Sequence, residues 1–268
     1  SPAKIKNMTY SNPIQSNAGL DVYENPIKDR TYVCTVDVAR GVSKDYSAFV
    51  IMDVTQMPFK IVAKFRNNEI RPLLFPHTIE KVCKAYNHAH VLVETNDLGQ
   101  QIAEALQFEL EYDNLLMTTN RGRAGQILGA GFSGRGAGFG VKMTKQIKKI
   151  GCANIKTLIE SDKIQVNDFN IVEEMSTFVR RGQSWQAEDG NTDDLMMCLV
   201  IFGWLSNQPF FKEMTDTNAR QMLYDEQQHL IEQDMAPFGF VDDGIPDHEK
   251  VTVDEYGDVW HPVTRKGE

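Results

Sequence analysis

Tyr32-Val33-Cys34-Thr35-Val36-Asp37-Val38-Ala39-Arg40-Gly41 is a compact apolar run that carries an acid near its end and then passes into a glycine turn. Aromatic and β-branched residues in a run of this length read as a strand. Residues 48–54 and 59–65 repeat the character, separated from it and from each other by short polar turns containing Gly41, Asp45 and Pro58. Three such runs predict an antiparallel meander.

Downstream, a helix over about residues 76–86, with Pro76 in its first turn, leads to His90-Val91-Leu92-Val93-Glu94, a fourth strand with an acid at its end. Asp97 is placed to cap a helix over 98–110, striped by Ile102, Ala105 and Leu106. Residues 115–118 read as a strand and the glycine- and alanine-rich 122–140 as a loop. Ile147, Ile150, Ile155, Leu158 and Ile159 recur at helical spacing and predict a helix over 144–160. A strand at 164–166, a short helix at 171–179, a strand at 184–187 and a strongly apolar, hence buried, helix at 193–205 follow. The order predicts an α/β domain with a mixed sheet flanked by helices.

Residues 1–30, rich in Asn, Ser and Pro, read as an irregular linker or wrapping arm. Residues 31–208 form the expected domain. Residues 209–268 form an acidic extension, with a surface helix over 220–233 and a loosely attached end from 236. The chain begins at Ser1 without a signal-like stretch and reads as a piece of a longer protein. No apolar run reaches the roughly 18–20 residues that cross a bilayer, so no membrane partner is expected. Cys34, Cys83, Cys152 and Cys198 form no C-x-x-C pair, which argues for a reduced setting and against a zinc site.

The net charge of −9 argues against a nucleic-acid partner until its distribution is considered. Residues 210–268 hold 14 acids and 5 bases, so the rest of the chain is neutral. From Asn114 to Ile159 there is no acid, and the stretch carries Arg121, Arg123, Arg135, Lys142, Lys145, Lys148, Lys149 and Lys156. Local basic stripes, not totals, bind phosphates. These side chains are expected to grip a DNA backbone without reading bases. The plain alternative is a solvated lysine face.

Asp37 and Glu94 end apolar strands, and Asp193 and Asp194 open a buried helix after the turn Asp189-Gly190-Asn191-Thr192. Acids beside apolar runs cost desolvation energy that a divalent cation would offset. Singly, each has a plainer reading: Asp37 as a turn former, Asp193 as a helix cap. Two motif matches fail on context. Gly129-Ala130-Gly131-Phe132-Ser133-Gly134 fits G-x-G-x-x-G but lacks a strong strand before it and a timely acid after it, and Arg135-Gly136 stands where a P-loop needs Lys-Ser/Thr.

Four segments together resemble the nuclease domain of the large terminase subunit of tailed bacteriophages, most nearly the T-even type. They are Tyr23-Glu24-Asn25-Pro26 with the run through Asp37 and Asp45-Tyr46-Ser47-Ala48; Val91-Leu92-Val93-Glu94-Thr95-Asn96; Gly140-Val141-Lys142-Met143-Thr144-Lys145; and Thr192-Asp193-Asp194-Leu195-Met196-Met197. The resemblance covers about residues 20–208. It implies a ribonuclease H-like fold that sets Asp37 beside Glu94 and brings the third acid from the late helix. Asp194 is favoured as the ligand, with Asp193 as a cap or supporting partner, and Asp45 as a lesser candidate at the edge. Where the family often has His before the double acid, this chain has Thr192.

The resemblance further implies Mg2+, with Mn2+ as a substitute. It implies double-stranded DNA as substrate, cut from concatemers during packaging. The expected partners are an ATPase motor domain on the same full-length protein, the portal and the small terminase subunit. The expected location is the host cytoplasm, transiently at the procapsid portal, and not the mature virion. Other ribonuclease H-like nucleases (resolvase or transposase type), a non-catalytic DNA-gripping module and a nucleotide-binding sugar-kinase relative stay open as alternatives.

Overall fold

Every residue of Ser47–Asp53 is buried, since this strand lies inside a sheet covered on both faces. The computed structural model describes residues 2–38, 46–119, 125–130, 137–182, 184–234, 252–253 and 259–260. Its elements begin with α1 (Pro2–Lys6), β1 (Gln15–Asn17), β2 (Leu20–Val22), β3 (Tyr32–Asp37), β4 (Ser47–Asp53) and β5 (Phe59–Asn67). Next come α2 (Phe75–Ala85), β6 (His90–Val93), α3 (Gly99–Glu104) with a π-helical continuation over Ala105–Glu109, β7 (Leu116–Thr119), β8 (Gln126–Ala130) and β9 (Ala137–Phe139). Then follow α4 (Lys145–Glu160), β10 (Ile164–Gln165), α5 (Phe169–Thr177), β11 (Phe178–Arg181), β12 (Ser184–Ala187), α6 (Asp194–Leu205) and α7 (Pro209–Asp234).

The main sheet runs β1-β2-β5-β4-β3-β6, with β10 alongside β5. β3, β4 and β5 are the expected antiparallel meander, and β6 lies parallel to β3. Side chains alternate across the sheet with the period of two. Val33, Val50, Met52 and Leu92 face one core, shared with α4 and the wholly buried α6. Cys34, Val36, Phe49, Ile51, Val91 and Val93 face the other, shared with α2 and the π turn.

Four expectations change. The stretch read as a loop over 122–140 contains β8 and β9, which pair with β7 on either side in a small sheet of their own. Glycine hides strands from composition, but here backbone pairing and the buried Ile127 hold them. Parallel bridges from Val91 to Leu115 and from Glu94 to Val141 attach this region to β6. Second, the helix expected over 171–179 ends at Thr177, and Phe178–Arg181 instead forms a hairpin with β12. Third, the α3 N-cap is Leu98 with no side-chain cap bond, while Asp97 stands at φ 51°. Fourth, the expected arm enters the sheet: β2 pairs with β5, and Tyr23 donates its hydroxyl to Asp168. Asp168, 2% exposed, also receives Lys64 Nζ at 2.9 Å and caps α5 by accepting from Ile171 N at 2.7 Å.

The first compact unit extends to Gln221, and Phe211 of α7 packs edge-on to Phe59 and Phe202 within it. Residues 222–268 form a second unit, where β13 (Thr252–Val253) pairs antiparallel with β14 (Val259–Trp260). The helix expected over 220–233 is part of the longer α7. Among the described residues, no helix is long and apolar enough to cross a membrane.

Candidate active site

Asp37 ends β3, and Glu94 follows β6 by one residue. The two strands run parallel in the register Val36 to Val93, and Glu94 donates its N–H to the Val36 carbonyl at 2.9 Å. Both acids therefore leave adjacent strands at the same end, and the alternation turns them toward the face that α6 covers. Asp194 is the first residue of α6, a helix that packs on β3 and β4. Its Oδ1 accepts from Tyr46 N, just before β4, at 3.3 Å.

These acids sense one another. Burial holds the Asp37 carboxyl well above the ordinary range, and the charges of Glu94, Asp194 and Asp193 push the same way. Burial also raises Glu94, opposed by its contact with Asp37, by Lys148 and by Asn96. Asp194 is pushed up to about 7, first by burial and then by Glu174, against the Tyr46 N–H and Arg66. Glu94 Oε1 accepts from Asn96 Nδ2 at 2.8 Å. Glu94 Oε2 and Asp194 Oδ2 are buried and accept no hydrogen bond.

Asp193 occupies the N-cap position of α6 but makes no side-chain cap bond. Its Oδ2 accepts instead from Ala187 N, at the end of the β11–β12 hairpin, at 3.3 Å. The capping role goes to Glu174 of α5, 3% exposed, whose Oε2 accepts from Met196 N at 2.8 Å.

Among the described residues, no three His, Cys, Asp or Glu side chains converge closely enough to enclose an ion as they stand. The donor set nonetheless suits one. Two buried carboxylate oxygens without donors carry a desolvation cost that a cation would offset, and hard oxygens of this kind match Mg2+ or Mn2+. All four cysteines are free, and Cys198 lies beneath the cluster against the Ala48 carbonyl at 3.6 Å.

The basic residues divide into groups. Lys148 is partly buried, lies 5.7 Å from the Phe178 ring centroid and acts electrostatically on Glu94. Lys145 and Lys149 are exposed and line a groove of about 720 Å³ with Arg180 and Trp185. Lys142 lines a second groove of about 570 Å³ with Asn96, Gln100 and Thr118. Lys156 pairs loosely with Glu160 at 3.9 Å. Arg121, Arg123, Arg135 and Asp45 lie outside the described residues.

Sequence reading missed Glu174, Arg66, Tyr46 and Asn96. Glu174 had a signal: it shares the apolar face of α5 with Ile171 and Met175, where an acid needs a partner. Arg66 near the end of β5 had none.

A family model described as the terminase RNaseH-like domain matches residues 34–201, more than half of the chain. The chain belongs to that family. Among solved structures, it is similar to the large terminase nuclease of thermophilic phage G20c with bound magnesium, at 20% identity and a TM-score of 0.56, over 75% of this chain and 94% of that one. The same nuclease with bound cobalt gives a TM-score of 0.55 at 20% identity, again over 75% and 94%. The large terminase nuclease domain of Thermus phage P74-26 gives 0.54 at 17% identity, over 75% and 92%. At these identities the likenesses speak to the fold alone, while the family model makes the mixed sheet and its helices ribonuclease H-like. This terminase-family domain thus carries its acids at one end of the β3–β6 pair.

Proposed function

We propose that this terminase-family domain is a metal-dependent endonuclease that cuts concatemeric viral double-stranded DNA during genome packaging. The observation that carries the reading is the placing of Asp37 and Glu94 at adjacent strand ends within electrostatic reach of Asp194, with one buried, donorless oxygen on Glu94 and another on Asp194. Asp37, Glu94 and Asp194 would hold Mg2+, or Mn2+ in its place, with Asp193 at the rim. Such an ion supplies activation of water and stabilisation of the leaving oxygen in phosphodiester hydrolysis. That the phage G20c nuclease has been crystallised with magnesium and with cobalt supports the choice of a divalent ion.

The chain's own residues do the rest. Lys145 and Lys149 contact the DNA backbone from one groove and Lys142 from another, while Lys148 balances the charge of Glu94. Arg121, Arg123 and Arg135 extend the same role in this reading. The working protein joins the domain to an ATPase motor on one full-length chain. It acts with the portal and small terminase subunit, in the host cytoplasm and transiently at the procapsid portal.

The lack of a ready three-ligand cage among the described residues favours a second reading, a DNA-gripping module of the motor without chemistry of its own. Incubation of linear duplex DNA with the chain and Mg2+ separates the two. The nuclease reading expects cutting that EDTA stops and that Asp37→Asn abolishes. Binding without cutting in wild type sinks it.

A further inference from the structure

Glu174 does more than cap α6. Its Oε1 accepts from Thr192 Oγ1 at 3.2 Å and lies 3.6 Å from Arg66 NH2. The same Arg66 nitrogen donates to Thr192 Oγ1 at 2.6 Å. Three residues from β5, α5 and the loop before α6 thus close a partly buried triangle on the residue two before Asp194. Arg66 closes a second link as well. Its guanidinium lies 4.1 Å from the centroid of the Tyr46 ring, and Tyr46 N–H is the donor to Asp194 Oδ1. The third acid is therefore held from both directions: through the helix start by Glu174 and Thr192, and through its own oxygen by the Tyr46 backbone that Arg66 braces.

A carboxylate pressed against other carboxylates is repelled from the geometry that a shared cation needs. Something must hold it there before the cation arrives. A helix start fixed by a buried acid, itself neutralised by a planar cation with several donors, meets that requirement. Asp193, which makes no cap bond, cannot do so.

We propose that Arg66, with Glu174 and Thr192, is a positioning residue that sets Asp194 for divalent-cation binding. The inference rests on the metal reading above. Its test is Mn2+ binding to the full chain by titration calorimetry, with cleavage and cation-free melting measured in parallel. Arg66→Met keeps an unbranched aliphatic stem but removes the guanidinium that lies over Tyr46, with its charge and donors. It is expected to weaken Mn2+ affinity by about tenfold or more. Arg66→Lys, which restores the charge on a single donor nitrogen without the planar fork, should recover part of the loss. Thr192→Val, a change in a half-buried loop that leaves the core packing intact, should weaken affinity in the same direction. Wild type that binds Mn2+ while Arg66→Met and Thr192→Val bind it equally well overturns the positioning role and leaves the nuclease reading standing. Wild type that binds no Mn2+ overturns both. A drop in cation-free melting temperature with unchanged Mn2+ affinity assigns the triangle to stability alone and likewise overturns the proposal.

Discussion

Glu94 stands directly beside Asp37 because its backbone N–H is bonded to the carbonyl of Val36, at 2.9 Å, in the last rung of a parallel strand pair. Two acids fixed this closely by backbone repel each other when both are ionised. Asp37→Asn is expected to leave DNA binding unchanged and to end Mg2+-dependent cutting. Without a divalent ion it should also raise the melting temperature, since the variant has no charge to bury beside Glu94. Thermal melting in EDTA checks the second point, and a lower melting temperature for the variant contradicts it.

Asp194 gives the pH dependence a sign. Its folded carboxyl is raised to about 7 from an ordinary value of 3.8. The folded state thus holds a proton that the unfolded state has released. This group's contribution to stability is fully present below pH 4 and is lost as pH rises through about 7. Asp194→Asn removes that slope. Melting curves at intervals between pH 4 and pH 8 in EDTA should show the wild type falling relative to the variant, and parallel curves refute the expectation. Mg2+ should lift the wild type, not the variant, above neutrality.

α4 and α6 cross closely. A Cβ at Gly203 would fall 2.4 Å from the Gly151 carbonyl oxygen, and one at Gly151 would fall 2.2 Å from the Val200 carbonyl oxygen. Backbone cannot give way as a side chain does. Gly203→Ala is expected to cost about 1–3 kcal/mol by overpacking. It should also move α4, and Lys148 with it, relative to Glu94. Urea unfolding measures the cost, and a change below about 0.5 kcal/mol would mean the helices part without strain.

Lys145 and Lys149 share an exposed groove with Arg180 and Trp185. If each meets one phosphate, the double variant Lys145→Ala/Lys149→Ala should lower the slope of log affinity against log salt by about 1.8, at roughly 0.9 per contact. Duplex binding across a salt series reads this directly. An unchanged slope returns both lysines to a solvated face.

Several parts of the fold were legible because a single stretch of chain carried the signal. Tyr32–Asp37, Ser47–Asp53 and His90–Val93 are apolar runs, and runs buried on both faces look like that wherever they occur. α6 is apolar all round and had to be interior. β8 and β9 were missed because their stability lies in pairing with β7, not in side chains. Asp193 looked like a cap because it is an acid before an apolar helix, yet a buried acid from another helix took the role.

By itself, then, the sequence determined the class of fold, the central run from β3 to β6 with the buried α6, and which acids stand at the ends of buried elements. Those are properties of local spacing and polarity. Only the tertiary structure decided that Asp37 and Glu94 stand side by side within electrostatic reach of Asp194, that Asp193 turns away to Ala187, and that Arg66 reaches Glu174 across more than a hundred residues of chain. The physical reason is that coupling between charges depends on distance in space, and strand register and helix packing set that distance.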